Sequence, residues 1–203
     1  MPSTLRLYTD FVCPFSFIAE EGTVPRLLLE YDIELDWHGF ELHPRTPKGG
    51  MPLGALFPNM NLGAMHDRTR RFAAQFGVTA FEPPDRLQNT RRALAIAEYA
   101  RSQGKLEPYR RAVFDAHWRQ SKNLELAADL EEIATTVGLA AEDALAAADD
   151  PAYLDRVDEK QAEARAQGVT GIPTFIFDKQ RVVGCQPFEL LADAAERSGA
   201  VRR

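Results

Sequence analysis

Cysteine is scarce in this 203-residue chain: there are two, Cys13 and Cys185. Two thiols that far apart cannot build a disulfide scaffold or a cysteine-rich zinc site. Basic charge is not in excess either. With 24 Lys and Arg against 30 Asp and Glu the net charge is -6, so the basic stripe that nucleic-acid binding needs is missing. No apolar run approaches the roughly 18 residues that span a bilayer. The segment from Met1 to Asp10 has no charged-then-apolar secretion pattern, which points to a cytoplasmic protein with reduced thiols. The histidines His38, His43, His66 and His117 are scattered, with no pair at helical i, i+3 or i, i+4 spacing, so no metal is expected. What the length permits is one domain, or one domain with an insertion, around a full core.

The first stretch reads as strand, helix, strand. Leu5 and Leu7 alternate with Arg6 and Tyr8, and Ile33, Leu35 and Trp37 alternate with Glu34, Asp36 and His38. Between them Phe17, Ile18, Val24, Leu27 and Leu28 form the apolar side of one helix running to about Glu30. Such a βαβ unit is normally right-handed with parallel strands. Glu41 to Gly63 is rich in Pro and Gly and reads as a long loop, a kind that is often functional. Helices then end at Gly77, run from an Asn89 cap to Gly104, begin near Pro108, run from Asn123 to Gly138, and follow Asp150-Pro151 to Gly168. The Ala-rich run 140–148 is a good helix former, and there is no internal repeat. Thr174–Phe177 and Arg181–Val183 read as a hairpin, and Pro187 opens a last helix to about Arg197. The layout βαβ, helical block, ββα is a thioredoxin-type α/β sheet with an all-helical insertion. Its parts are residues 1–43, the loop and insertion at 44–165, and residues 166–203.

Cys13 stands where a strand ends and a helix begins. The free N–H groups and partial positive charge of a first helical turn stabilise a thiolate, the nucleophilic form. Pro14 suits the first helical position. At pH ~7.5 a thiol of pKa ~8.5 is roughly 10% ionised and one of pKa ~6.5 roughly 90%, so a lowered value is expected at a working nucleophile. The alternative is a buried cysteine acting as a small apolar filler. Ser16 occupies the place of a second redox cysteine. Its hydroxyl can donate to the thiolate, or it can serve the backbone at the helix start. Pro173 precedes a strand, so Ile172-Pro173 is a candidate cis peptide whose backbone at Ile172 would pair with an extended substrate. A trans proline at a strand edge is the simpler reading of the residues alone.

Three ordered motifs carry a resemblance: Asp10-x-x-Cys13-Pro14-Phe15-Ser16, Gly168-Val-x-Gly-Ile-Pro173-Thr-Phe, and Val-Gly184-Cys-Gln186-Pro187. With His38-Gly-Phe-Glu-Leu-x-Pro44 and Asn89-Thr90, they make the chain similar to the DsbA-like thioredoxin family, in particular its cytosolic FrnE-type branch. The resemblance implies a thioredoxin fold with a helical insertion, cis-Pro173 beside Cys13, and thiol–disulfide chemistry on peptides or small thiols. Members commonly carry Cys-Pro-x-Cys, whereas this chain has Ser16. The related 2-hydroxychromene-2-carboxylate isomerases and kappa-class glutathione transferases have a serine-centred motif and use glutathione.

The leading expectation is therefore a monothiol oxidoreductase or isomerase. Cys13 attacks, Ser16 and the helix start steady the thiolate, and Pro173 shapes the site. Pro14, Phe15, Ile172, Asn89, Gly184 and Cys185 meet the substrate. No tightly bound cofactor is implied; glutathione is the candidate co-substrate and a homodimer the candidate assembly. A glutathione-dependent isomerase or transferase, and a non-catalytic thioredoxin-like binding module, are the alternatives. Cys185 stands where the family commonly has alanine, at the end of the last hairpin and on the side of the proline loop. It is either a resolving thiol for Cys13 or a small residue tolerated there. Arg68, Arg70, Arg71, Arg91 and Arg92 either hold glutathione carboxylates or form a solvated helix face. Asn89 either contacts ligand or simply caps its helix.

Overall fold

A computed structural model describes residues 2–203; Met1 lies outside the described residues. The chain opens with β1 (Ser3–Thr9), α1 (Pro14–Gly22), α2 (Val24–Glu30) and β2 (Ile33–Gly39). It then passes through β3 (Met51–Pro52), α3 (Leu53–Leu56), α4 (Leu62–Ala74) and β4 (Arg86–Leu87). The helices α5 (Arg91–Ser102), α6 (Leu106–Arg119), α7 (Ala127–Thr136), α8 (Ala141–Asp149) and α9 (Pro151–Ala166) follow. The hairpin β5 (Thr174–Phe177) and β6 (Gln180–Val183) and the helix α10 (Phe188–Arg197) finish the fold.

The main sheet has the order β2-β1-β5-β6. β1 and β2 are parallel, with Leu5 opposite Leu35 and Leu7 opposite Trp37, while β5 runs antiparallel to both β1 and β6. This is a thioredoxin-like α/β sheet whose two halves are joined through the helical insertion. Alternation builds it: Leu5 and Leu7 are fully buried on one face, and Arg6 between them is exposed. The insertion shares the sheet's core. Phe11 stacks on Trp37 with ring centroids 5.5 Å apart and meets Phe114 of α6 edge-on at 5.2 Å, while Phe17 of α1 stacks on Trp118 at 5.4 Å. Each such buried ring contributes roughly 1.5–3 kcal/mol by area alone. The small residues Ala144 and Ala148 of α8 are buried where it packs on α5, whose Ala93 and Ala97 are buried too.

Three local readings change. The first helix is two: Pro25 has no N–H to continue the ladder and its ring collides with a carbonyl four residues back, so α1 stops at Gly22 and α2 restarts. Gly22 is itself in close contact, since a Cβ there would lie 2.7 Å from the Phe76 carbonyl oxygen. The Pro/Gly-rich stretch is not all loop, because Met51 pairs with Leu87 to form the small β3–β4 sheet, and α3 and the start of α4 lie within it. Asn123 does not cap α7; its Oδ1 accepts from Glu125 N at 3.0 Å, and Leu126 is the cap residue. His38 is buried and stacked on Tyr8, with ring centroids 5.0 Å apart.

A buried ion pair ties the insertion to α1. Arg110 of α6 donates to Glu20, and both side chains are about 95% buried, at 4% and 5% exposure. Replacing Arg110 alone with methionine strands the Glu20 carboxylate and is expected to cost about 3–5 kcal/mol in urea unfolding. The double replacement Glu20→Met with Arg110→Met is expected to recover most of that loss.

Candidate active site

The site starts from the end of β1. Asp10 O accepts the Cys13 amide at 3.1 Å, and Trp118 Nε1 of α6 donates to Phe11 O at 2.8 Å, fixing the turn between strand and helix. Cys13 is the N-cap of α1 with extended backbone (φ -86, ψ 116), and its carbonyl accepts Phe17 N at 3.0 Å. Pro14 fills the first helical position, where the missing N–H costs nothing.

The 171–174 loop meets this turn. The Ile172–Pro173 peptide is cis. The Ile172 carbonyl oxygen lies 3.9 Å from Cys13 Sγ, a sulfur hydrogen-bond distance with the thiol as donor. The Pro173 carbonyl accepts Gly184 N at 2.7 Å, and Thr174 Oγ1 donates to Gly171 O at 2.6 Å. Cys13, Ile172, Pro173 and Gly184 are thus brought together, with Cys185 next along the chain. Both cysteines are free thiols and both are buried.

The ionisation of Cys13 runs against the sequence expectation. Burial pushes the thiol up from its ordinary value. The Ser16 hydroxyl and the first-turn amides of Ser16 and Phe15 act in the opposite direction, and the Asp10 carboxyl adds to the rise. Desolvation wins because the thiol is 2% exposed. Ser16 Oγ is buried with no hydrogen-bond partner while Cys13 is neutral, so its proton is free to turn toward a thiolate.

A cavity of about 590 Å³ opens onto Cys13, Pro14 and Phe15. Its walls come from the loop after β2 (Leu42, His43), from α3 and α4 (Leu56, Met65) and from β4 (Leu87). The lining is mainly apolar. Phe15 is 44% exposed at its edge and packs edge-on against Phe72 at 5.4 Å. His66 is the buried polar group of the wall; its Nε2 has no partner, and Nδ1 lies 3.8 Å from Asp85.

Asp10, Leu42, His66 and Trp118 flank the site, and sequence reasoning gave none of them a role. Asp10 is 1% exposed; Oδ2 accepts Leu42 N at 2.8 Å and Oδ1 has no partner. Burial pushes its carboxyl up to about 7, with Glu41 adding to the rise and Leu42, Thr90 and Val12 opposing it. The signal was available: an acid between Thr9 and Phe11 at a strand end, inside an otherwise apolar run.

Several expected ligand contacts are occupied elsewhere. Asn89 Oδ1 accepts Arg91 N at 2.9 Å and Nδ2 donates to Thr46 O at 2.7 Å, so both ends of its side chain brace the loop and α5. Arg91 pairs with Glu41 at 3.0 Å and with Asp158 at 2.5 Å, and Arg92 pairs with Asp149 at 2.8 Å. Arg70 pairs with Asp67 and Glu82, Arg71 is exposed, and Arg68 lines the cavity. Among the described residues no group of three or more His, Cys, Asp or Glu side chains could hold a metal ion. No helix among them is long and apolar enough to cross a membrane.

A thioredoxin-like sheet, a Cys-Pro helix start and a proline loop against the thiol define a class, and comparison with known proteins gives the family. The profile of the DSBA-like thioredoxin domain matches residues 4–196, and the chain belongs to that family. It is similar to the crystal structure of the probable DsbA oxidoreductase SCO1869 from Streptomyces coelicolor, with 25% identity and a TM-score of 0.87 over 97% of this chain and 90% of that one. A 2-hydroxychromene-2-carboxylate isomerase shares the fold at 20% identity and a TM-score of 0.76, covering 96% of this chain and 95% of that one. The cytosolic disulfide reductase DsbM from Pseudomonas aeruginosa, in a structure with GSH, shares it at 15% identity and a TM-score of 0.58, covering 97% and 96%.

Proposed function

We propose that the protein is a cytoplasmic monothiol thiol–disulfide oxidoreductase or isomerase that works through a mixed disulfide on Cys13. The observation that carries this reading is Cys13 at the α1 N-terminus, its Sγ 3.9 Å from the Ile172 carbonyl and on the wall of a 590 Å³ apolar cavity. Cys13 loses its proton and attacks a substrate disulfide; the S–S bond breaks and the departing thiolate takes up a proton. The Ser16 hydroxyl and the first-turn amides steady the thiolate. Pro173 and the Ile172 backbone align the substrate chain along the loop, and Pro14, Phe15 and Gly184 border it. Because Ser16 cannot form a disulfide, a thiol from elsewhere resolves the mixed disulfide; glutathione in that role attacks the substrate sulfur, leaves with it as a new disulfide and returns Cys13 as a thiolate. The glutathione-bearing DsbM structure is in keeping with that co-substrate. Asn89 is left out, since its side chain is engaged at both ends.

The cavity favours substrates with an apolar group beside the disulfide. Leu56→Trp narrows the wall and is expected to raise KM for a glutathione–benzyl mercaptan mixed disulfide roughly tenfold, with little change for a hydroxyethyl one. Steady-state kinetics with both substrates check this.

The same cavity, with a thiol that burial holds neutral, also favours a second reading, a glutathione-dependent isomerase or transferase. Coupled turnover of a glutathione mixed disulfide separates the two. Turnover supports the oxidoreductase; glutathione binding without disulfide turnover supports the second reading. Absence of both leaves a binding module.

A further inference from the structure

We propose that Cys185 is the second thiol of this site and closes an intramolecular disulfide with Cys13, in place of the cysteine that Ser16 replaces. The inference rests on the reading of Cys13 as the nucleophile and says how its mixed disulfide is resolved.

One stitch holds the Cys185 turn to the site, and a second holds it to α1. The carbonyl of Ile172 lies against Cys13 Sγ at 3.9 Å, and the next carbonyl, that of Pro173, accepts Gly184 N at 2.7 Å. On the other side of Cys185, the Gln186 carbonyl accepts from Thr23 Oγ1 at 3.4 Å, at the far end of α1 from Cys13, and this contact fixes the turn against the helix. The residue between these anchors is a buried thiol, 8% exposed. Electrostatics link the pair as well: burial pushes Cys185 up to about 12, and charge on Cys13 adds to that rise.

Burial is the larger cause, and it keeps Cys185 protonated until the turn moves and admits solvent; the charge on Cys13 adds to this. While Cys13 is a thiolate, Cys185 stays protonated and does not compete for substrate. Once Cys13 is joined to substrate it carries no charge, and that part of the upward push disappears. Cys185 then loses its proton to solvent and its sulfur attacks Cys13 Sγ. The bond from Cys13 to the substrate sulfur breaks, and the departing thiolate takes up a proton. The substrate disulfide has then become two thiols, and the two protein thiols have become one disulfide. Two equivalents of an outside thiol such as glutathione return the protein to its dithiol form and leave as glutathione disulfide.

Closure needs movement, because the two side chains lie in separate buried clusters and a disulfide requires Cα atoms within about 7 Å. Gly184 sits at φ +84, and a glycine beside Cys185 can change its backbone angles more freely than a residue with a side chain.

Treating the full chain with glutathione disulfide, quenching with acid and digesting with trypsin tests this. The expected product links residues 7–26 to residues 182–197, the tryptic peptides that hold Cys13 and Cys185. Cys185→Ala, which keeps the site small and apolar, is expected to accumulate at least about tenfold more glutathione on Cys13 than the parent protein. A wild-type protein that accumulates a stable glutathione adduct on Cys13 with Cys185 free overturns the proposal. Should Cys185→Ala fail to fold, the linked peptide in the wild type still decides. If Cys13 takes up no glutathione at all, the reading of Cys13 as nucleophile fails. The pair is then tested with diamide, where a linked peptide supports the disulfide and its absence overturns it.

Discussion

Cys13→Ser is expected to lower turnover of a glutathione mixed disulfide by roughly 10³-fold or more, because the hydroxyl cannot form the covalent intermediate. The loss should fall on kcat, with the fold intact, since Cys13 contributes one small buried side chain to the cluster of Tyr8, Phe40 and Ile172. The pH profile adds a second readout. Burial raises the Cys13 thiol above its ordinary 9.0, and the thiolate is the reactive form. Alkylation by iodoacetamide is therefore expected to climb about tenfold per pH unit from pH ~6 and to be still rising at pH ~9. Asp10→Asn removes a charge that raises the thiol, so its curve should move to lower pH. A plateau below pH ~7 in the wild-type protein would instead mean that the helix start outweighs desolvation.

Asp10 and His117 are expected to dominate how stability responds to pH, with opposite signs. Burial raises the Asp10 carboxyl from 3.8 to about 7. Between those values the folded state holds a proton that the unfolded state has released, so stability falls as pH rises. The full difference is on the order of 4 kcal/mol, reached above pH ~7. Burial lowers His117 from 6.5 to about 4. There the unfolded state binds the extra proton, so stability falls as pH drops through that window, by on the order of 3 kcal/mol. From about pH 4 to 6.5 the two slopes nearly cancel. Denaturant titrations across pH resolve them: stability of Asp10→Asn relative to wild type should grow from pH ~4 to ~7, and that of His117→Leu should grow as pH falls from ~6.5 to ~4. Parallel curves for the variant and the wild type would show that the replaced group is solvated.

The parts of this fold that were legible in the sequence are those set by near neighbours. Alternation in β1 and β2 was readable because each strand buries one row of side chains while Arg6 and Glu34 remain outside. The start of α9 was readable because its cap is local: Asp150 Oδ1 accepts Ala152 N at 2.8 Å and Pro151 follows directly. The β3–β4 pair was not, because Met51 finds its partner at Leu87, far along the chain. The thiol's ionisation was missed for a related reason. The first-turn amides are local and readable, while the burial that outweighs them is tertiary and no pattern around Cys13 reports it. The cavity was also out of reach, since five separated stretches supply its walls. Asn89 shows the converse: its place before a helix was plain, yet the Thr46 carbonyl that occupies its amide belongs to the loop after β2.

The central claim is that Cys13 carries a covalent mixed disulfide during turnover. Rapid mixing of the protein with a glutathione–benzyl mercaptan disulfide, acid quench and mass analysis of tryptic peptides tests it most directly. The account predicts a transient adduct on the peptide spanning residues 7–26, formed and consumed at least as fast as steady-state turnover. Turnover with no adduct on that peptide, or with an adduct that forms more slowly than product appears, would contradict it.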